Sequence, residues 1–152
     1  MHTTPTIRRT TSDDNDFRAL VVRLDMDLAQ RNGEANAFFA AHNELTPLAQ
    51  VVVVLQGDIP LGCGAFKPFD HGAVEIKRMY TAPEHRQRGI GSLVLHELER
   101  WAQELGHARC VLETGRMMPE AIGLYQKRGY LRIPNYGPYA GVESSVCFEK
   151  RL

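Results

Sequence analysis

Thr81-Ala82-Pro83-Glu84-His85-Arg86-Gln87-Arg88-Gly89-Ile90-Gly91-Ser92 is the stretch that decides the fold. Before it lies Val74-Glu75-Ile76-Lys77-Arg78-Met79-Tyr80, within a strand predicted over 73–80. After it, Ile90, Leu93, Val94, Leu98, Trp101, Ala102 and Leu105 recur every three or four residues, which predicts the strongest helix of the chain, ended by Gly106. A strand thus feeds a turn, and the turn feeds a helix N-terminus. Several successive N–H groups there lack intrahelical partners, and the helix dipole adds partial positive charge. Gly89 and Gly91 remove side chains that would block close approach, while Arg86 and Arg88 add charge. By themselves these residues describe either a pyrophosphate cradle or a solvated basic turn capping a helix. Neither GxxxxGK[ST] nor GxGxxG is present in the segment. Gly62-Cys63-Gly64 is a GxG within a predicted strand, with no helix after it.

Upstream, 6–10 reads as a short strand. Ser12, followed by three acidic residues, predicts a helix start. Phe17, Leu20, Val21, Leu24 and Leu28 carry that helix to about Gln30, and Asn32-Gly33 ends it. A shorter helix is predicted over 34–42. Ala49-Gln50-Val51-Val52-Val53-Val54-Leu55 reads as a strand buried on both faces, with 61–66 as its hairpin partner across Gly57-Asp58. Downstream come a strand at 109–113, a helix at 119–128, and two closing strands at 130–133 and 142–149. The helix between strands 73–80 and 109–113 is a crossover, so those two strands are expected to be parallel neighbours. The fold class is α/β: a mixed, mostly antiparallel sheet with one β-α-β crossover and helices on both faces, formed as one domain over 1–152.

The segment Arg86-Gln87-Arg88-Gly89-Ile90-Gly91 resembles motif A of the GNAT acetyltransferase superfamily, [RQ]-x-x-G-x-[GA]. Downstream, Glu120-Ala121-Ile122-Gly123-Leu124-Tyr125-Gln126-Lys127-Arg128-Gly129-Tyr130 resembles motif B, a helix ending in L-Y-x-x-x-G-[FY]. The likeness is close from about Ala73 to Tyr130; the N-terminal half matches only in element order. It implies direct transfer of an acetyl group from acetyl-CoA to an amine. The implied cofactor-binding residues are Met79, Tyr80 and Thr81 through their main chain, and Arg86, Gln87, Arg88, Gly89, Ile90, Gly91 and Ser92 around the pyrophosphate. Met79 N–H is the expected oxyanion donor. Tyr125 matches the tyrosine expected to protonate the leaving thiolate, and Glu75 the family's catalytic glutamate, with Glu113 as a rival base or a substrate-ammonium ligand. Motif B often carries Asn seven residues before the tyrosine, where this chain has Met118.

Acceptor specificity is expected from the first two helices and the last hairpin, whose Pro134-Asn135-Tyr136-Gly137-Pro138-Tyr139 forms an aromatic loop. Tyr136 is read as a wall of the acceptor pocket, and Arg78 and Arg132 as candidates to attract a carboxylate. The expected acceptor is a small-molecule amine. A protein or peptide acetyltransferase and a non-catalytic acyl-CoA sensor are the alternatives.

Lys plus Arg and Asp plus Glu number 18 each, so the net charge is zero, and neither nucleic acid nor membrane is an expected partner. Self-association as a homodimer is left open. The six histidines show no metal-ligand spacing, and no metal is expected. Three cysteines in an odd count, two within apolar runs, read as buried thiols in a reducing compartment, and the start of the chain shows no secretion signal. The expected setting is therefore cytoplasmic.

Overall fold

The computed structural model describes residues 4–32 and 47–152. Seven strands form one sheet in the order β1-β2-β3-β4-β5-β7-β6. They are β1 (Thr6–Thr10), β2 (Gln50–Gln56), β3 (Ile59–Pro68), β4 (Ala73–Thr81), β5 (Arg109–Gly115), β6 (Leu131–Ile133) and β7 (Ser145–Arg151). The helices are α1 (Asn15–Asn32), α2 (Ile90–Glu104) and α3 (Pro119–Lys127), with single 3₁₀ turns at Pro83–His85 and Gly137–Tyr139. The predicted helix over 34–42 lies outside the described residues. β4 and β5 are parallel, as the crossover requires, and every other strand pair is antiparallel. β7 returns between β5 and β6, so the closing hairpin is zipped onto the parallel pair.

The valine run of β2 is apolar throughout because both its faces are buried. Val51, Val53 and Leu55 meet Phe17, Leu20, Val21 and Leu24 of α1. Val52 and Val54 meet the opposite layer, built on Val94, Leu95 and Leu98 of α2 and Tyr125 of α3. Gly62 and Gly64 let α2 lie close to the sheet. A Cβ at Gly64 would stand 2.5 Å from Met79 Sδ and 2.8 Å from Val94 Cγ1.

One local expectation is corrected. The α1 cap is Asp14, whose Oδ1 accepts the Phe17 N–H at 3.0 Å, rather than Ser12. Ser12 is drawn instead to Leu48: its Oγ accepts Leu48 N–H at 2.8 Å, and its own N–H donates to Leu48 O. A tertiary bond has displaced the local one.

Candidate active site

β4 and β5 pair only through Ala73↔Arg109, Val74↔Cys110 and Glu75↔Val111. β4 then runs on to Thr81 and β5 to Gly115, so the two strands part and leave a gap between their C-terminal ends. On the other edge of β4 the register with β3 jumps from Lys77↔Ala65 to Tyr80↔Cys63, leaving an extra residue in β4. Arg78 sits in this bulge with φ +58°, a conformation that costs a non-glycine residue of order 1–3 kcal/mol. The bulge changes which residues face which layer. Ile76 faces the α2 layer and Tyr80 the α1 layer, although both are even-numbered, and Met79 joins the α2 layer. Arg78 and Met79 have no register partner in β3.

The turn into α2 is shaped by two residues with positive φ, Gln87 at +65° and Gly89 at +76°. Gly89 is the N-cap of α2 and no side chain caps the first turn, so its N–H groups stay open to an anion. A Cβ on Gly89 would meet nothing within 4 Å, so the space beside it is free. Arg86 donates from Nε to Thr81 O at 3.2 Å, which holds the turn against the end of β4.

From this cradle a cleft of about 360 Å³ runs past Met79, Tyr80 and Thr81 to Tyr125, with Leu24 and Asp27 of α1 on its far wall. Gln87, Ile90, Gly91 and Ser92 also line it. The cleft, its open N–H groups and its lack of blocking side chains fit a pyrophosphate with a thioester-bearing arm. Of the residues expected to hold that group, Arg88 does not reach the cleft lining. Its guanidinium is hydrogen-bonded to Gln56 Oε1 at 3.0 Å and lies 3.1 Å from His85 Nδ1.

A second cavity of about 100 Å³ opens in the gap itself and holds Glu75, Lys77, Arg78 and Glu113. The two cavities share Leu24, Met79, Met118, Ala121 and Tyr125, so these residues mark their junction. Tyr125 is 5% exposed and packs against Tyr130 and Phe148. Burial, then the nearby Glu113, push its phenol pKa upward, so it stays protonated and able to donate.

Both carboxylates are held from the C-terminal segment. Tyr136 donates to Glu75 Oε2 at 2.6 Å, and Ser145 Oγ donates to Glu113 Oε2 at 2.7 Å. Glu75 also has Lys67 Nζ 3.7 Å away. Burial raises the Glu113 pKa above the usual carboxylate range, against the hydrogen bond from Ser145 and the charge of Lys77. Burial lowers the Lys77 pKa, opposed by Glu75 and Glu113. Tyr136 is in neither cavity lining; it acts on the site through Glu75 and packs against Phe69 and Tyr139. Arg132, on the short edge strand β6, is exposed and lines neither cavity.

Residues that the sequence did not assign a role one by one also converge here, among them Tyr139 of the aromatic loop expected at the acceptor pocket. Leu24, Asp27 and Leu28 of α1 line the cavities, and Lys77 and Tyr139 line the smaller one. Arg31 ties α1 to α3, with Nη1 2.5 Å from Glu120 Oε1 and Nε donating to Asp27 Oδ1 at 3.2 Å. Lys77 was open to recognition, since it alternates with Glu75 along β4. The α1 residues were not, because their spacing is that of an ordinary core stripe.

A strand, a glycine turn with open N–H groups and a helix, set beside a splayed parallel pair, are matched by the model of the acetyltransferase (GNAT) family over residues 15–130. The chain belongs to this family. The chain is similar to an IAA acetyltransferase of Azospirillum brasilense, 31% identical over 120 residues that make up 78% of this chain and 78% of that one. A solved structure from Klebsiella pneumoniae subsp. pneumoniae MGH 78578, put forward as an acyl-CoA N-acyltransferase, superposes with a TM-score of 0.82. It is 30% identical and covers 98% of each chain. A GNAT family acetyltransferase from Elizabethkingia anophelis with acetyl-CoA bound shares the fold, with a TM-score of 0.67 and 18% identity over 97% of this chain and 98% of that one. This GNAT protein is an acetyltransferase. Among its described residues no helix is long and apolar enough to cross a membrane.

Proposed function

We propose that this GNAT protein transfers the acetyl group of acetyl-CoA to the primary amine of a small molecule. The observation that carries the reading is the junction: Tyr125 and Met79 line both the cleft that begins at the cradle and the cavity that holds the carboxylates. When bound, acetyl-CoA supplies a thioester whose carbonyl carbon forms the new C–N bond as its C–S bond breaks.

The residues of the chain have separate tasks. Open N–H groups at Gly91 and Ser92 hold the pyrophosphate, and the edge of β4 from Met79 to Thr81 that faces the gap, beyond the last rung shared with β5, orients the arm. Met79 N–H, outside the β3 register, donates to the oxygen on which negative charge grows. Glu113 takes the proton lost by the amine. Of the two carboxylates that the sequence left open as base, Glu75 and Glu113, this reading favours the second. Glu113 lies two residues beyond the last rung that β5 shares with β4, at the gap, and burial makes it a stronger base than an ordinary carboxylate. Glu75, on that last rung and bonded to Tyr136, fixes the floor of the cavity. Tyr125 gives its proton to the departing sulfur. The small volume of the gap cavity favours a small acceptor over a peptide. The three cysteines, all free and buried, support a cytoplasmic setting.

The experiment is release of free CoA thiol from acetyl-CoA with a panel of amines, amino acids and peptides. Release that depends on a small amine supports the reading. Release no faster than hydrolysis, with every acceptor, overturns it.

A further inference from the structure

The gap cavity holds charges of both signs in a very small space. From β4 come Glu75, Lys77 and Arg78, and from β5 comes Glu113. By register Lys77 lies level with Glu113, two residues past the last rung on each strand. Each group is anchored from behind: Glu75 by Tyr136, Glu113 by Ser145, Lys77 by Tyr139 at 3.4 Å, and Arg78 by Asp25 at 2.7 Å. A cavity built only to take up an amine has no use for buried cations, because each repels an ammonium ion and costs desolvation free energy.

Arg78 is the most telling of these groups. Its side chain is 5% exposed, yet its ion-pair partner Asp25 is 53% exposed on α1. Asp25 is bonded to Nη1 alone. Among the described residues Nε and Nη2 have no hydrogen-bond partner, and Arg78 lines the cavity. A guanidinium with free donors in a fixed fork matches a carboxylate. The strained φ of +58° holds it there, and a bulge that serves only to bend the strand would not need an arginine at its centre. Leu24, Leu28, Met118 and Ala121 make an apolar part of the wall.

We propose that the acceptor is an amino acid or a close amino-carboxylate, its carboxylate bound by Arg78 and its amine by Glu113 at the Tyr125 junction, with an apolar side chain against Leu24, Leu28 and Met118. This rests on the acetyl-transfer reading above and narrows its acceptor class. The transfer step is the one already described, and the carboxylate takes no part in it.

The test compares the standard L-amino acids, each with its decarboxylated amine, by thiol release. The best acid is expected to exceed its own amine by about tenfold to a hundredfold in kcat/KM, mostly through KM. In Arg78→Gln that advantage should shrink below about threefold, and Arg78→Lys should restore part of it. Melting curves on both variants separate a folding defect from a lost contact, and the comparison of substrates needs no variant at all. Amines that serve as well as their acids across the panel would overturn the proposal while leaving acetyl transfer intact. An unchanged acid-to-amine ratio in folded Arg78→Gln would overturn it too. No turnover of any compound would remove the acetyl-transfer reading and this proposal together.

Discussion

Tyr136 donates a 2.6 Å hydrogen bond to Glu75 from 61 residues downstream, so the loop before β7 reaches back over β4. Glu75 is only 5% exposed, and its ion-pair partner, Lys67, stands 3.7 Å away. Tyr136→Phe removes the oxygen and keeps the ring against Phe69 and Tyr139. Leaving a buried carboxylate short of a donor should cost about 1–3 kcal/mol in a denaturant titration. Acceptor KM should rise, while the Kd for acetyl-CoA, measured by calorimetry, should stay put because Tyr136 is not in the cleft lining. An equal loss of cofactor affinity would place Tyr136 elsewhere in the mechanism.

The base assignment has a pH signature. Burial raises the Glu113 pKa, so the carboxyl is protonated, and useless as a base, over a wider acid range than a free glutamate. Activity should therefore climb with pH through a midpoint above the usual glutamate value of about 4.3. Glu113→Gln should remove that limb and lower kcat by roughly a hundredfold or more. Glu75→Gln should keep the limb. A limb that survives in Glu113→Gln and vanishes in Glu75→Gln would return the base to Glu75.

Gly64 tests the packing beneath the site. An added Cβ would stand 2.5 Å from Met79 Sδ, 2.8 Å from Val94 Cγ1 and 3.0 Å from Leu98 Cδ1. Gly64→Ala should therefore wedge α2 from the sheet and lower stability by about 1–3 kcal/mol, read as an earlier denaturation midpoint. A neutral outcome would mean that Met79 can swing aside at little cost.

The framework of this site was legible because it rests on periodicity and local chemistry. The apolar stripe of α2, the two-faced valine run of β2 and the strand–turn–helix order force a parallel β4–β5 pair, and Gly89 and Gly91 mark the cradle. What the sequence hid depends on distant partners. No glycine or asparagine at position 78 announces the bulge, so the change of facing after Lys77 is invisible until β3 is in register. Ser145 and Glu113 are 32 residues apart, and no local pattern joins them. The Ser12 cap failed for a related reason, since Leu48 offered that hydroxyl a better partner.

The central claim is that the acetyl group changes hands where Tyr125 joins the two cavities. Tyr125→Phe deletes one oxygen and keeps the ring between Tyr130 and Phe148, so fold and acetyl-CoA affinity should hold. The measurement is kcat for CoA thiol release in that variant, beside its Kd for acetyl-CoA. A fall in kcat of roughly ten to ten thousand-fold at unchanged Kd is predicted, in the lower part of that span because a thiolate is already a fair leaving group. An unchanged kcat in a folded variant would contradict it and leave Tyr125 as packing alone.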